Sequence, residues 1–145
     1  MGHHLDVLTR QFMWAEGMDF QHGTGHGIGS YLSVHEGPQG ISKKPGKAAL
    51  QAGMLLSNEP GIYREGESGV RIENVELVVT RDDGFLAFET LTLVPYDRNL
   101  IDLSLLTPEE IAQIDAYHAR VLAEVGPDLN GADLDHLRQT TEPLA

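Results

Sequence analysis

The 145-residue chain has no cysteine, one tryptophan, and 10 lysines and arginines against 22 aspartates and glutamates. Without cysteine there is no disulfide framework and no thiolate zinc site. The same absence fits a cytoplasmic protein. A formal net charge of −12 is the opposite of what a phosphate backbone attracts, so no nucleic acid partner is expected. No apolar run approaches the ~20 residues of a membrane helix, and the N-terminus shows no charged-then-apolar leader pattern, so no membrane partner is expected. The remaining composition is ordinary: 41% hydrophobic and 22% charged. A chain of this length can bury roughly two-thirds of its unfolded surface. Neither an internal repeat nor a low-complexity run occurs.

Against that plain background, His22 to Gly29 stands out. It reads His-Gly-Thr-Gly-His-Gly-Ile-Gly, with two histidines four apart among four glycines. A third histidine, His35, follows in Ser-Val-His-Glu-Gly-Pro. Two acids lie downstream, Glu59 in Ser-Asn-Glu-Pro-Gly and Glu73 in Val-Arg-Ile-Glu-Asn. Imidazole and carboxylate together suit borderline divalent metals, and glycine lets the backbone approach a ligand closely. His26, flanked by glycine on both sides, is the best ligand candidate. Each residue has a plainer alternative: His26 a turn histidine, Glu59 a solvated residue before Pro60, His22 and His35 hydrogen-bonded structural histidines. Glu73 could form a surface pair with Arg71, worth ~1 kcal/mol or less. Alternation along Val70 to Val79, however, puts Glu73 on one face with Val75 and Leu77, which points it inward, and a buried carboxylate needs a partner or a metal. The glycines could also suggest a nucleotide loop. The lysine of a P-loop is missing, and no βαβ unit with an acid ~20 residues on surrounds them.

The runs HGTGHGIGSYLSVHEGPQGIS, GMLLSNEPGIY and GVRIENVELVV resemble, in order, the second half of a pita-bread metallopeptidase domain. They are most similar to the aminopeptidase P (Xaa-Pro aminopeptidase) branch, and favour it over prolidase and methionine aminopeptidase. The tail ETLTLVPYDRNLIDLSLLTPEEIAQIDAYHARVL resembles the C-terminal extension of the large, three-domain members. The resemblance implies an α+β fold: a curved antiparallel sheet with helices on one side over residues 1–97, and a helical C-terminal extension over residues 98–145. It implies His26, Glu59 and Glu73 as metal ligands, and His22 and His35 as catalytic residues that bind substrate and stabilise the tetrahedral intermediate. Arg71 would orient Glu73. The implied activity removes the N-terminal residue from a peptide with proline in second position, using water activated by two divalent ions, usually manganese, with zinc or cobalt as alternatives.

Family members use five ligands, two of them aspartates from the first half of the domain. No Asp-x-Thr strand motif precedes His22, and Asp6 and Asp19 sit in the wrong context. The chain therefore reads as a C-terminal piece that is weak or inactive alone. The expected partner is a second copy, forming a homodimer, or a complementing N-terminal half. A non-catalytic binding or assembly module is the alternative.

Local patterns complete the expectations. Leu5 to Gly17 reads as an amphipathic helix with Leu5, Leu8, Phe12 and Ala15 on its apolar stripe. Met54 to Leu56 is a brief strand that delivers Asn58 and Glu59, and Val70 to Val79 a longer one. Arg81-Asp82-Asp83-Gly84 is a hairpin turn into Phe85 to Val94. Asp97 to Leu106 is a linker. Thr107-Pro108-Glu109-Glu110 opens a helix with a capping box; its stripe is Ile111, Ile114, Tyr117, Val121, Leu122 and Val125, with His118 on the polar side. Gly126-Pro127 stops it, and a shorter helix covers Ala132 to Gln139.

Overall fold

The computed structural model describes residues 1–144. It divides into two compact units, Met1–Thr92 and the residues from Leu93 onward, a few residues ahead of the boundary expected at 97/98.

The first unit opens with helix α1 (Gly2–Ala15), which closes at Gly17 with φ +69°. Seven short strands follow: β1 (Gly25–His26), β2 (Gly40–Ile41), β3 (Leu55–Asn58), β4 (Gly61–Arg64), β5 (Ser68–Arg71), β6 (Asn74–Thr80) and β7 (Leu86–Thr90). All their pairings are antiparallel: β1 with β2, β3 with β6, β6 with β7, and β4 with β5. A bridge between Gly27 and Leu56 joins β1 to β3. The Glu59 N–H to Thr24 O bond, 2.8 Å, and the Ile28 N–H to Leu55 O bond, 3.2 Å, run beside it. The strand order is thus β2-β1-β3-β6-β7. Ile41, Leu56 and Val78 form the buried core, with Leu5 of α1 and Leu50 and Met54 packed on it. Arg81 to Gly84 makes the expected hairpin turn, with Gly84 at φ +82°.

Two expectations are corrected in this unit. The apolar stripe of α1 is not its buried face: Leu8 is 57% and Phe12 74% exposed, and Ala15 is exposed, while Gly2, Asp6 and Arg10 are buried. The helix turns its charges inward because Arg10 finds a full set of acceptors there. The expected continuous strand Val70–Val79 is also two strands, interrupted at Ile72-Glu73. Opposite that break stand Glu59 and Pro60. Proline has no N–H to offer the ladder, and the Glu59 N–H is given to Thr24. The buried side of β6 is Glu76 and Val78, which faces the core, and Glu73 is exposed.

In the second unit the expected linker contains two single turns of 3₁₀ helix, Arg98–Leu100 and Leu103–Leu105. The side chains of Asp97 and Asp102 cap them by accepting from the Asn99 and Ser104 N–H groups. Helix α2 (Pro108–Val125) has the expected capping box: Thr107 accepts from the Glu110 N–H and Glu110 from the Thr107 N–H. Gly126–Asp128 tightens into a 3₁₀ turn before helix α3 (Gly131–Thr140). His118 is corrected. It is fully buried, because it lies four residues after Ile114 and three before Val121, within the stripe. Its Nε2 accepts from the Tyr96 N–H at 3.1 Å, and burial lowers its pKa, which keeps the ring neutral. Among the described residues, no helix is long and apolar enough to cross a membrane.

Candidate metal centre

The site grows from a shared strand register. β3 pairs with β6 as Asn58 opposite Asn74, and β4 pairs with β5 as Gly61 opposite Arg71. The two pairs share one register across the break, and continuing it sets Glu59 opposite Glu73. Alternation then puts Glu59, Tyr63, Arg71 and Glu73 on the same face of one interrupted ribbon. Like charges directly opposite each other on a sheet destabilise it. The arrangement therefore calls for positive charge, and Arg71 supplies some: its Nη1 donates to Glu59 Oε2 at 3.1 Å. Sequence reasoning pairs Arg71 with Glu73. In the structure its side-chain hydrogen bonds go to Glu59 and Tyr63, with the Glu73 charge acting on it as well. The hydrogen bond to Tyr63 comes first among the causes that raise the Arg71 pKa, ahead of the charges of Glu59 and Glu73.

His26 reaches this ribbon from β1. Its N–H donates to Ser57 Oγ at 2.9 Å, and Ser57 Oγ donates to Glu59 Oε1 at 2.9 Å. His26 Nδ1 lies 3.0 Å from the Gly27 carbonyl oxygen. A carbonyl only accepts, so Nδ1 carries the proton, and in the neutral ring Nε2 presents a lone pair. That lone pair lies 3.2 Å from Glu59 Oε1, another acceptor. Two acceptors at this range need a cation between them, a proton or a metal ion. Ligand atoms of His26, Glu59 and Glu73 all lie within 4.8 Å of one another. One imidazole nitrogen and two carboxylates form a donor set that suits a borderline divalent ion, so these residues fit a metal. Glu73 joins them from an exposed position, Glu59 from a buried one and His26 from between.

Tyr63, absent from the sequence-based candidates, links His22 to this cluster. His22 Nδ1 faces the Gly23 carbonyl oxygen at 2.8 Å, so Nδ1 is the donor and Nε2 accepts from the Tyr63 hydroxyl at 2.8 Å. Arg71 Nε donates to the same hydroxyl oxygen at 2.8 Å. Hydrogen bonds thus run in one direction, from Arg71 through Tyr63 to His22. The Tyr63 ring folds back over Gly61, where a Cβ would stand 2.3 Å from the hydroxyl oxygen. The signal was available: Glu59, Gly61 and Tyr63 alternate on one face. His35 stacks beside His26, ring centroids 4.0 Å apart. The two line an open cleft of about 270 Å³ with Gly23, Gly25, Gly27 and Lys47. All six expected site residues therefore fall in one region. His136 lies in the second unit, and His3 and His4 on α1.

The model of metallopeptidase family M24 matches residues 1–81, and that of the C-terminal region of peptidase M24 matches residues 84–144. The chain is 46% identical over 151 residues to aminopeptidase P1 of Lotus japonicus, covering 99% of this chain and 23% of that protein. It is 44% identical over 152 residues to Xaa-Pro aminopeptidase 2 of Homo sapiens, covering 99% and 22%. Among solved structures it is similar to the X-prolyl aminopeptidase of Caenorhabditis elegans, described as a cytosolic enzyme with a di-nuclear active site. The TM-score is 0.87 at 45% identity, over 98% of this chain and 24% of that one. An X-Pro aminopeptidase from Thermotoga maritima matches over 65% of this chain and 25% of its own, with TM-score 0.52 and 42% identity. The chain thus spans somewhat under a quarter of the length of these curated relatives, and the α+β, pita-bread expectation holds.

Proposed function

The chain belongs to metallopeptidase family M24, and from that premise we propose that it forms the C-terminal, ligand-bearing part of a metal-dependent Xaa-Pro aminopeptidase. Such an enzyme releases the N-terminal residue from peptides with proline in second position. The observation that carries this reading is the convergence of His26, Glu59 and Glu73, ligand atoms within 4.8 Å. These three would hold metal at a centre of two divalent ions, manganese first, with zinc or cobalt as alternatives. When bound, such ions polarise the scissile carbonyl and lower the pKa of the attacking water.

The chain's own residues do the rest. Ser57 and Arg71 occupy the outer lone pairs of Glu59, which fixes how that carboxylate faces His26. His22 and His35 bind the peptide beside the scissile carbonyl, where a fixed donor to the developing charge is worth more than in water. Both ring nitrogens of His22 are engaged, by Gly23 and Tyr63, so substrate displaces one of these partners. Residues 1–97 act as the second half of a pita-bread domain and residues 98–145 as its helical extension. We place the protein in the cytoplasm, in keeping with the nematode relative. Three donors hold one ion loosely, so this chain by itself is expected to be weak or inactive as a peptidase.

A second reading, an assembly module without its own activity, draws on the exposed apolar residues of α1, Val7, Leu8, Phe12 and Trp14. A second copy or a separate first half would cover them. A strict monomer by light scattering at high concentration removes the homodimer.

The test of the main reading is Mn²⁺ titration followed by electron paramagnetic resonance of the free ion. Saturable uptake by the chain, lost in both Glu73→Ala and His26→Ala, is expected. Uptake that survives both substitutions, or no uptake at all, overturns the metal assignment. Robust Xaa-Pro cleavage by the pure chain, abolished by Glu73→Ala, would instead overturn the expectation of weak activity.

A further inference from the structure

The most heavily bonded side chain in the first unit is outside the metal cluster. Arg10, on the buried face of α1, is fully buried and uses all five of its donors. Nε donates to Asp6 Oδ2 at 2.7 Å and Nη2 to Asp6 Oδ1 at 3.2 Å. Nη1 donates to Asp19 Oδ1 at 2.6 Å and to the Phe20 carbonyl at 2.7 Å. The second Nη2 proton goes to the His22 carbonyl at 2.7 Å. The guanidinium also lies 3.7 Å from the centroid of the Phe20 ring, an attractive cation–π contact. Its counter-charges are secured in turn. Thr24 Oγ1 donates to Asp6 Oδ1 at 2.7 Å, and Lys43 pairs with Asp19.

We propose that Arg10 is a positioning residue for His22: a helix-borne guanidinium that grips the backbone on either side of residue 21 and so sets where the His22 imidazole stands. The proposal rests on the role given to His22 above. A buried ion pair alone would be weak evidence for anything, since desolvation offsets most of the attraction. What points further is where the bonds go. Two of the five end on main-chain carbonyls of the loop, and a third, through Asp6 and Thr24, ties down the residue two places after His22. His26 does not depend on this clamp in the same way, because β1 pairs with β2 and its N–H is bonded to Ser57. His22 lies outside any strand and receives its support from Arg10 on one side and Tyr63 on the other. Lysine cannot substitute, because an ammonium is a point charge with three donors and no planar fork.

The experiment uses the 145-residue chain labelled with ¹⁵N and long-range ¹H–¹⁵N spectra of the imidazole rings, with Mn²⁺ affinity measured in parallel. In Arg10→Lys the His22 ring signals should move as they do in Tyr63→Phe, which cuts the other support. The His26 signals should hold, and Mn²⁺ affinity should fall by no more than about threefold, because the route from the clamp to the metal ligands is indirect, through Thr24, whose carbonyl accepts from the Glu59 N–H. Unmoved His22 signals in a folded Arg10→Lys chain overturn the proposal. So does a parallel shift of His22 and His26 with a matching loss of Mn²⁺ affinity, the signature of general loosening. If Arg10→Lys does not fold, Thr24→Val removes the hydroxyl bond from the loop to Asp6 and keeps the backbone one. A smaller displacement of His22 in the same direction supports the proposal, and none overturns it. Failure of the unmodified chain to bind Mn²⁺ would refute the metal reading while leaving the His22 comparison intact.

Discussion

Gly25 is where the strand carrying His26 meets the strand leading to Glu59, and Gly25→Ala is the perturbation with the most defined consequence. A Cβ at this position would stand 1.9 Å from the Ser57 carbonyl oxygen and 3.0 Å from its carbon. Both are backbone atoms, so no rotamer change relieves the contact. To restore a tolerable separation of about 3.0 Å, β1 and β3 must part by about 1 Å. Overpacking of this kind costs roughly 1–3 kcal/mol. In a unit of this size that lowers the melting temperature by on the order of 10 °C. The same shift separates His26, the next residue on β1, from Glu59, two residues beyond Ser57. Metal–ligand distances tolerate about 0.2 Å, so three donors cannot remain on one ion across such a gap. Mn²⁺ affinity by isothermal titration calorimetry should fall about 10-fold or more. Gly40→Ala is the control, since it lies opposite His26 on β2 and its added Cβ would find its nearest neighbour at 3.5 Å, an ordinary contact. A Gly25→Ala chain with the melting temperature and Mn²⁺ affinity of the parent would refute the argument. Equal losses in both variants would show that the β1–β2 pair tolerates no added side chain, and the specific clash would lose its meaning.

Two further outcomes follow from the structure. Burial raises the pKa of Glu76 above 4.5, against the opposing hydrogen bonds from Thr90 and Asn58. Its contribution to stability is therefore fully present below that unfolded value and is lost as pH rises through the folded one. Glu76→Gln should be more stable than the parent in urea unfolding near pH 7, with the gap closing below pH 4.5, and a gap that widens on acidification would contradict this. Thr107→Ala removes the hydroxyl that accepts from Glu110 and should destabilise α2 by about 1 kcal/mol. Circular dichroism of the thermal transition reads this, and an unchanged midpoint would show that the cap contributes nothing in this setting.

The features that could be read ahead of the coordinates are those whose causes are local. The capping box of Thr107 and Glu110 needs only residues three apart, and it forms as expected. The Asp83-Gly84 turn needs one positive φ, and Gly84 supplies it. The convergence of His22, His26, His35, Glu59 and Glu73 follows from resemblance to a family with three ordered motifs. Spacing alone left each of these residues with an ordinary alternative. Tyr63 was missed even though it follows Glu59 by four residues with Gly61 between, because Pro60 reads as the end of a strand. In the structure the proline interrupts the ladder without changing its register, so alternation continues across it.

The failures share a cause of another kind. In α1, and again at Glu73, amphipathicity by itself points the wrong face inward. That inference assumes that apolar area decides orientation, at about 25 cal/mol per Å². For α1 the competing quantity is a guanidinium with five donors, any of which would cost more than an apolar contact if left buried and unsatisfied. Asp6, Asp19 and two carbonyls satisfy them all only when that face turns inward, which leaves Leu8 and Phe12 outside. At Glu73 the same logic runs the other way. The core side of β6 was already claimed by Val78 against Ile41 and Leu56, so the alternate face, with Glu73, was left for Glu59 and His26. Periodicity can count faces but cannot weigh them. Deciding which face is buried requires the partners' positions, and beyond α1 those partners lie 9 to 12 residues away along the chain for Arg10, and 14 (Glu59) and 47 (His26) for Glu73, on elements that local pattern does not connect.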